Sequence, residues 1–327
     1  MYMKKFFKTI SYLLLASIIL VVLEYARQGF VEDLSMQPYV FNQDERVSPI
    51  YLVSYVDGPE YFYRNQNAMT HYAINKGIDF ILNYKKHHIN LEFYEKNKEI
   101  FSVKTGGGMW LWKPYIIYET LKNSPENSVI LYLDAAFKIK KHLNQFFKLL
   151  DSNDIILAHD HDRKNGSFVK GDSFALLDCE DEACRNASHI MSGAILVKNT
   201  PYSREFIKKW LDAMQDIRIL SNEQYGIKEN YPEYKWHHFD QSVLSLIYHK
   251  NPSKIKMIEF DELSEYFSLF HRKPSKSSPN KAWYSVYGID PLINFNKYGK
   301  TLPSTSLLNI APVVYIRKKI IEYFFHG

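Results

Sequence analysis

The sequence predicts an α/β domain built on a mixed, mostly parallel sheet with helices on both faces. Three observations point to it. Short apolar runs alternate with helix-length segments from residue 48 onward, the order that lays helices over a parallel sheet. The runs close on turn formers, as where Asp57-Gly-Pro follows Ile50-Tyr-Leu-Val-Ser-Tyr. No internal repeat or low-complexity linker divides residues 48–290, so the 327-residue chain reads as one large domain with short additions at each end.

The first addition spans residues 1–27. Lys4, Lys5 and Lys8 precede the uncharged stretch TISYLLLASIILVVL, which with Phe6 and Phe7 approaches the roughly 20 residues that cross a bilayer. The pattern also fits a signal peptide, but Leu-Glu-Tyr-Ala-Arg follows without a small-x-small cleavage site. An uncleaved signal anchor, a single transmembrane helix, is the expectation. The leading lysines place the N-terminus in the cytoplasm. The rest of the chain then lies across the membrane, in the Golgi or secretory lumen of a eukaryote or the cell envelope of a bacterium. Residues 28–47 are polar and aperiodic and read as a stem.

Within the domain, strands are expected at 50–55 and 79–84, with a helix at 60–76 ending at Gly77. A helix at 114–123 opens on Pro114, a residue suited to a first turn. Val129-Ile-Leu-Tyr-Leu is a buried strand that ends at Asp134. Strands at 154–158 and 193–197 and helices at 202–215 and 240–249 complete the pattern. The tail, 291–327, ends in APVVYIRKKIIEYFFHG, which either packs on the domain or lies on a membrane surface.

Composition narrows the partners. The net charge is +5, with acidic and basic residues interspersed, so there is no basic stripe for nucleic acid. The 25 Tyr and 21 Phe supply core area in any fold and also suit a carbohydrate site. Cys179 and Cys184, the two cysteines, are too few for a zinc site. They form either a short-loop disulfide in an oxidising compartment or two separate thiols. Asn165-Gly-Ser and Asn186-Ala-Ser are glycosylation triplets that suit a lumen.

Ligands of an open α/β sheet bind beyond the carboxyl ends of its strands, which singles out Asp134. A carboxylate there can hold a divalent cation or sugar hydroxyls, or merely cap a turn. Gly106-Gly-Gly-Met-Trp-Leu-Trp-Lys-Pro is the most unusual stretch. Its glycines let backbone approach a ligand, Trp110 and Trp112 can stack on a base or sugar, and Lys113 can meet a phosphate. The bland alternative is a flexible loop before a helix. Ser192-Gly193 lies at a strand start and Asp240-Gln241 at a helix start, where an aspartate is often only a cap. His271-Arg-Lys-Pro-Ser-Lys is a basic loop with a possible metal ligand.

In this order the segments resemble GT-A glycosyltransferases over roughly residues 50–275. The likeness is to a group with a Gly-x-Gly-x-Trp-x-Trp-Lys-Pro segment followed by a Tyr-Leu-Asp-Ala-Gly strand end, here Gly106-Gly-Gly-Met-Trp-Leu-Trp-Lys-Pro and Tyr132-Leu-Asp-Ala-Ala. Val169-Lys-Gly-Asp, Ser192-Gly-Ala-Ile-Leu-Val and Asp240-Gln-Ser-Val-Leu-Ser extend it. The resemblance implies a GT-A-like fold and transfer from a nucleotide diphosphate sugar to a hydroxyl of a glycan, lipid or protein. It implies catalytic roles for Asp134 and Asp240. It places Gly106, Gly107, Gly108, Trp110, Trp112, Lys113, Ser192, Gly193, Gln241, Arg272 and Lys273 at the donor, and a cation, Mn²⁺ or Mg²⁺, on Asp134 and His271. One departure stands out, because the usual Asp-x-Asp signature reads Asp134-Ala-Ala136. Either one carboxylate suffices for the metal, or Lys113, Arg272 and Lys273 neutralise the diphosphate. Two other readings use the same residues: a glycoside hydrolase with Asp134 and Asp240 as its carboxylate pair, and a non-catalytic sugar-binding protein on a degenerate GT-A fold.

Overall fold

Along Val129–Leu133, Ile130 and Tyr132 enter one apolar core while Leu131 and Leu133 enter another. This is the period-two alternation of a strand covered on both faces. The computed structural model describes residues 48–269 except 59 and 74, together with 12, 14–21, 39–40, 294–295 and 301–302. Its strands are β1 (Tyr39–Val40), β2 (Ile50–Val56), β3 (Phe80–Lys85), β4 (Val129–Leu133), β5 (Phe137–Ile139), β6 (Ile155–Lys164), β7 (Ser188–Lys198), β8 (Ile255–Ile258) and β9 (Phe267–Leu269). Among the described residues the central sheet has the order β1-β3-β2-β4-β7-β6-β8, and β5 pairs with β9 apart from it.

The β2–β3, β2–β4 and β6–β8 pairs are parallel, and the β1–β3, β4–β7 and β6–β7 pairs antiparallel. Five strands thus share one direction, with β7 and the edge strand β1 reversed, as a mixed, mostly parallel sheet requires. The reversal of β7 matters for the site. It sets Ala194 opposite Leu133, so Ser192 and Gly193 arrive beside the residue that follows β4.

Four longer helices flank the sheet: α1 (Glu60–Ala73), α2 (Trp112–Asn123), α3 (Pro201–Met214) and α4 (Asp240–Lys250). In α3, Pro201 occupies the first turn. Thr200 caps the helix through the Ser203 amide while the Ser203 hydroxyl takes the Thr200 amide, a reciprocal N-terminal lock. The helix buries Phe206, Ile207, Trp210, Leu211 and Met214, the spacing of a single face. At about 1.5–3 kcal/mol for each fully buried large side chain, this face outweighs the helix's own propensity.

The structure departs from expectation at several points. β6 and β7 run on as a long hairpin beyond the apolar runs, with shifts of register after Ile156 and His159. β8 and the helices Leu91–Lys96 and Lys98–Ser102 were not foreseen. Tyr39–Val40, inside the segment read as stem, adds an antiparallel edge to β3. Cys179 and Cys184 form a disulfide. The Asn165 triplet is corrected as a glycosylation site, since Asn165 is fully buried and its amide donates to the Cys184 carbonyl, whereas Asn186 is exposed. Among the described residues no helix is long and apolar enough to cross a membrane. Most of 1–27 and of the tail, and the 290 boundary, lie outside the described residues.

Candidate active site

β2 and β4 end side by side, and Asp57 and Asp134, each the first residue past its strand, line one cleft of about 530 Å³. The volume suits a small-molecule ligand, and the position is the carboxyl-end crevice of an open sheet. Tyr55, Gly107, Trp110 and Ala136 line it too, and Lys86 and Lys104 bring cations to its wall.

The glycine loop forms one wall by an uncommon backbone path. Gly106, Gly107, Gly108, Met109 and Trp110 all have positive φ, at 61°, 59°, 98°, 50° and 60°. Together they make a left-handed turn, closed by Met109 N to Thr105 O at 2.8 Å and Trp110 N to Gly106 O at 3.3 Å. Each L-residue in that region costs about 1–2 kcal/mol, so glycine at three of five positions removes most of the strain. Space demands glycine as well, since a Cβ on Gly106 would lie 2.3 Å from the Trp110 ring and one on Gly108 2.7 Å from Phe101. Trp112 is buried, stacks on Tyr55 at 4.1 Å between centroids, and donates from Nε1 to Gly106 O at 2.8 Å.

Behind the cleft lies a charged cluster. Lys113, only 2% exposed, donates from Nζ to Asp240 Oδ2 at 2.6 Å and to Ser192 Oγ at 3.1 Å, with Asp134 Oδ1 at 3.5 Å. Ser192 also donates to Asp240 Oδ2 at 2.7 Å, and Tyr132 OH to Asp134 Oδ1 at 2.5 Å. Burial works against the Lys113 ammonium, but Asp134 and Asp240 outweigh it and hold its pKa above the ordinary lysine value. Burial pushes the Asp240 carboxyl up while Lys113 and Ser192 pull it back. The short Lys113–Asp240 contact is that of a charge-assisted pair. Two carboxylates around one ammonium leave the cluster one negative charge in excess, on the side of Asp134, which faces the cleft.

Asp240 does not cap its helix. The residue before it, Phe239, makes no side-chain cap, and the Asp240 carboxylate is spent on Lys113 and Ser192. Nor does Asp240 line the cleft. With Lys113 between them, Asp134 and Asp240 do not face each other across open space as a hydrolase carboxylate pair must. Gly193 accepts the Asp134 amide at 2.8 Å, and a Cβ on it would sit 3.1 Å from Asp134 Oδ2. Gly108 packs inward against Phe101. Gln241 is committed to Asp160, which also takes Arg163 at 2.6 Å. His271, Arg272 and Lys273 lie outside the described residues.

A long connection, residues 221–239, leads into α4 and is held from a distance. Lys170 Nζ donates to Glu223 O at 2.6 Å, and Asp172 accepts the amides of Tyr225, Ile227 and Lys228 at 2.7, 2.8 and 3.1 Å. Burial would raise Asp172, but the three amides outweigh it and lower its pKa. Gly171 donates to Asn230, and a Cβ on it would lie 2.3 Å from Glu229 O. Burial lowers Lys170 to about 8 and His237, which accepts the Lys170 amide, to about 3. The sequence reading missed Asp57, Lys86 and Lys104. The strand-end rule that selects Asp134 also selects Asp57, but Gly-Pro after it reads as a turn.

No family model and no curated protein matches the chain. Among solved structures it is similar to a glycosyltransferase involved in glycosylation of the major capsid of PBCV-1, with 13% identity over 64% of this chain and 82% of that one, TM-score 0.37. It is also similar to mouse xyloside xylosyltransferase 1, at 10% identity over 64% and 84%, TM-score 0.36. A third is core-mannan synthase A from Aspergillus fumigatus in its Mn/GDP form, at 10% identity over 76% and 85%, TM-score 0.39. At these values the likeness is one of general layout.

Proposed function

We propose that the chain transfers a glycosyl group from a nucleotide diphosphate sugar to a hydroxyl on a glycan, lipid or protein. The observation that carries this reading is the Asp134 carboxylate, set at the floor of the strand-end cleft and backed by the buried Lys113–Asp240 pair. The diphosphate lies toward Lys86 and Lys104, and the glycine loop packs against the nucleotide. Asp240 acts through Lys113, holding it against Asp134, and is a positioning residue. The donor set suits a hard cation, because Asp134 and Asp57 offer carboxylate oxygens to the same cleft. When bound, Mn²⁺ or Mg²⁺ would neutralise charge on the leaving diphosphate. Elsewhere among the described residues the clustered ligand types are Cys179, Cys184 and His249, whose sulfurs are bonded to each other.

The test is nucleoside diphosphate release by the full-length chain from a panel of UDP- and GDP-sugars, with and without EDTA. Asp134→Asn should lower turnover at least ~100-fold, the scale of losing one preorganised electrostatic group, with an unchanged melting temperature. Release by no sugar in the panel, or near-normal release by a folded Asp134→Asn, would end the reading.

We also propose that residues 1–27 anchor the chain and that the domain lies across the membrane from the N-terminus. Leu14, Leu15, Ile18 and Ile19 are all exposed, and the disulfide and the exposed Asn186 suit an oxidising lumen. Protease added to the cytoplasmic side of sealed vesicles should leave 48–269 intact, and its digestion there would refute the orientation.

A further inference from the structure

Trp236 is 52% exposed, while Trp112 and Trp210 are buried and Trp110 is half-buried. A lone exposed apolar side chain is ordinary; what sets this one apart is how it is held. It is not exposed through slackness. The Lys235 amide donates to Ser167 O at 2.8 Å, the His237 amide to Asn222 Oδ1 at 3.2 Å and the His238 amide to Ser242 Oγ at 2.8 Å. The backbone is fastened on both sides of an indole that faces solvent.

The ring is also joined to the cleft. Trp236 meets Phe239 edge to face, with centroids 6.2 Å apart and planes at 75°, and Phe239 meets Trp110 at 5.3 Å. Trp110 lines the cleft with Asp134. Phe239 holds φ at 48°, a strained setting for a bulky residue and one typical of functional positions. That strain puts its ring between the two tryptophans and its neighbour Asp240 on Lys113. Aromatic rings therefore run from the reacting region out to an open indole face.

We propose that Trp236 is the platform for the acceptor, and that the acceptor is itself a saccharide of at least two rings. This inference rests on the transferase reading above. The apolar C–H face of a pyranose stacks on an indole, whose edge keeps contact with water. One ring at the cleft presents its hydroxyl beside Asp134, and Phe239 separates that position from Trp236. The ring on Trp236, one aromatic residue further out than Trp110, is then the next sugar of a chain being lengthened.

The experiment applies the full-length chain in detergent to a glycan array carrying monosaccharides and oligosaccharides, with nucleoside diphosphate release from UDP- and GDP-sugars measured in parallel. Wild type should bind oligosaccharides and bind single sugars far more weakly. Trp236→Ala should lose at least about tenfold in oligosaccharide signal, and Trp236→Phe should keep most of it, as expected of a stacking face. Melting temperatures should move little, because about half of the side chain is already in water. An array profile unaltered by Trp236→Ala, equal binding of single sugars, or no oligosaccharide bound would each overturn the proposal. If nucleotide release persists in those cases, the platform falls and the transferase stands. Trp236-dependent glycan binding without nucleotide release keeps the platform and removes the transferase.

Discussion

Two loops meet beside the cleft, where Phe239 packs on Trp110, and they are built on opposite principles. Residues 103–111 lead into α2, which carries Lys113, and residues 221–239 lead into α4, which opens on Asp240. The pairing of Lys113 with Asp240 is where they meet. The short loop dictates its own path, because three glycines admit a left-handed turn that few other residues tolerate. The long loop has no such bias. Connections of that length are uncommon in compact domains and usually functional, and this one is shaped by Lys170, Gly171 and Asp172, some 50 residues upstream. One loop is encoded where it lies and the other elsewhere.

The sharpest way to break the arrangement is at the joint. Lys113→Met would leave Asp240 and Asp134 buried or half-buried without their cation. It should destabilise the fold by about 3–5 kcal/mol, read as a lower urea midpoint, and a cost under about 1 kcal/mol would mean that the pair is not an ion pair at all. Next comes Gly171→Ala, which drives a methyl group into the Lys228 and Glu229 carbonyls and should cost about 1–3 kcal/mol. Its signature is regional: amide exchange should accelerate in 221–239 and not in 103–111. Equal acceleration in both loops would show that the long loop is not separately held.

Acid should divide the loops more gently. His237 is lowered to about 3 by burial, below the usual unfolded value of about 6.5. As pH falls below that value the unfolded chain takes a proton that the folded chain refuses, so stability is lost between about pH 6.5 and 3. His237 alone should account for about 2 kcal/mol of the loss by pH 5, and His237→Gln should remove that share while leaving those of His88, His189 and His238, which burial also lowers. The short loop contains no histidine and should keep its exchange protection as the long loop loosens. A pH-independent unfolding midpoint between 7 and 5 would refute this.

The same division governs what the sequence could show. The glycine triplet, the strand ending at Asp134 and the apolar face of α3 announce themselves locally, and the sheet with helices on both faces follows from the alternation of such segments. The contact between Lys113 and Asp240 spans 127 positions, and nothing near either residue names its partner. Asp240 reads as a helix cap until its carboxylate is seen turned inward. β8, Ile255-Lys-Met-Ile, is too short and too mixed to declare itself, and it becomes a strand only because β6 offers a parallel edge. Asn165 fits a glycosylation triplet, yet its burial beneath Cys184 follows from the fold of the β6–β7 hairpin.

The buried pair also bears on how this chain can drift over generations. Losing either partner alone strands a charge, whereas exchanging both for well-packed apolar residues is often neutral or stabilising. A descendant that no longer needed the chemistry could therefore fold well without the pair, yet no path of single substitutions leads there except through a poorly folding intermediate. Lys113 and Asp240 would persist in lineages where selection on activity has lapsed, as long as the protein must still fold, and their retention in a relative would testify to folding before it testified to catalysis. Asp134 is not caught in that trap. It is half-buried at the cleft, and its replacement by asparagine leaves Lys113 with Asp240, so it is the position where relaxed selection should show first.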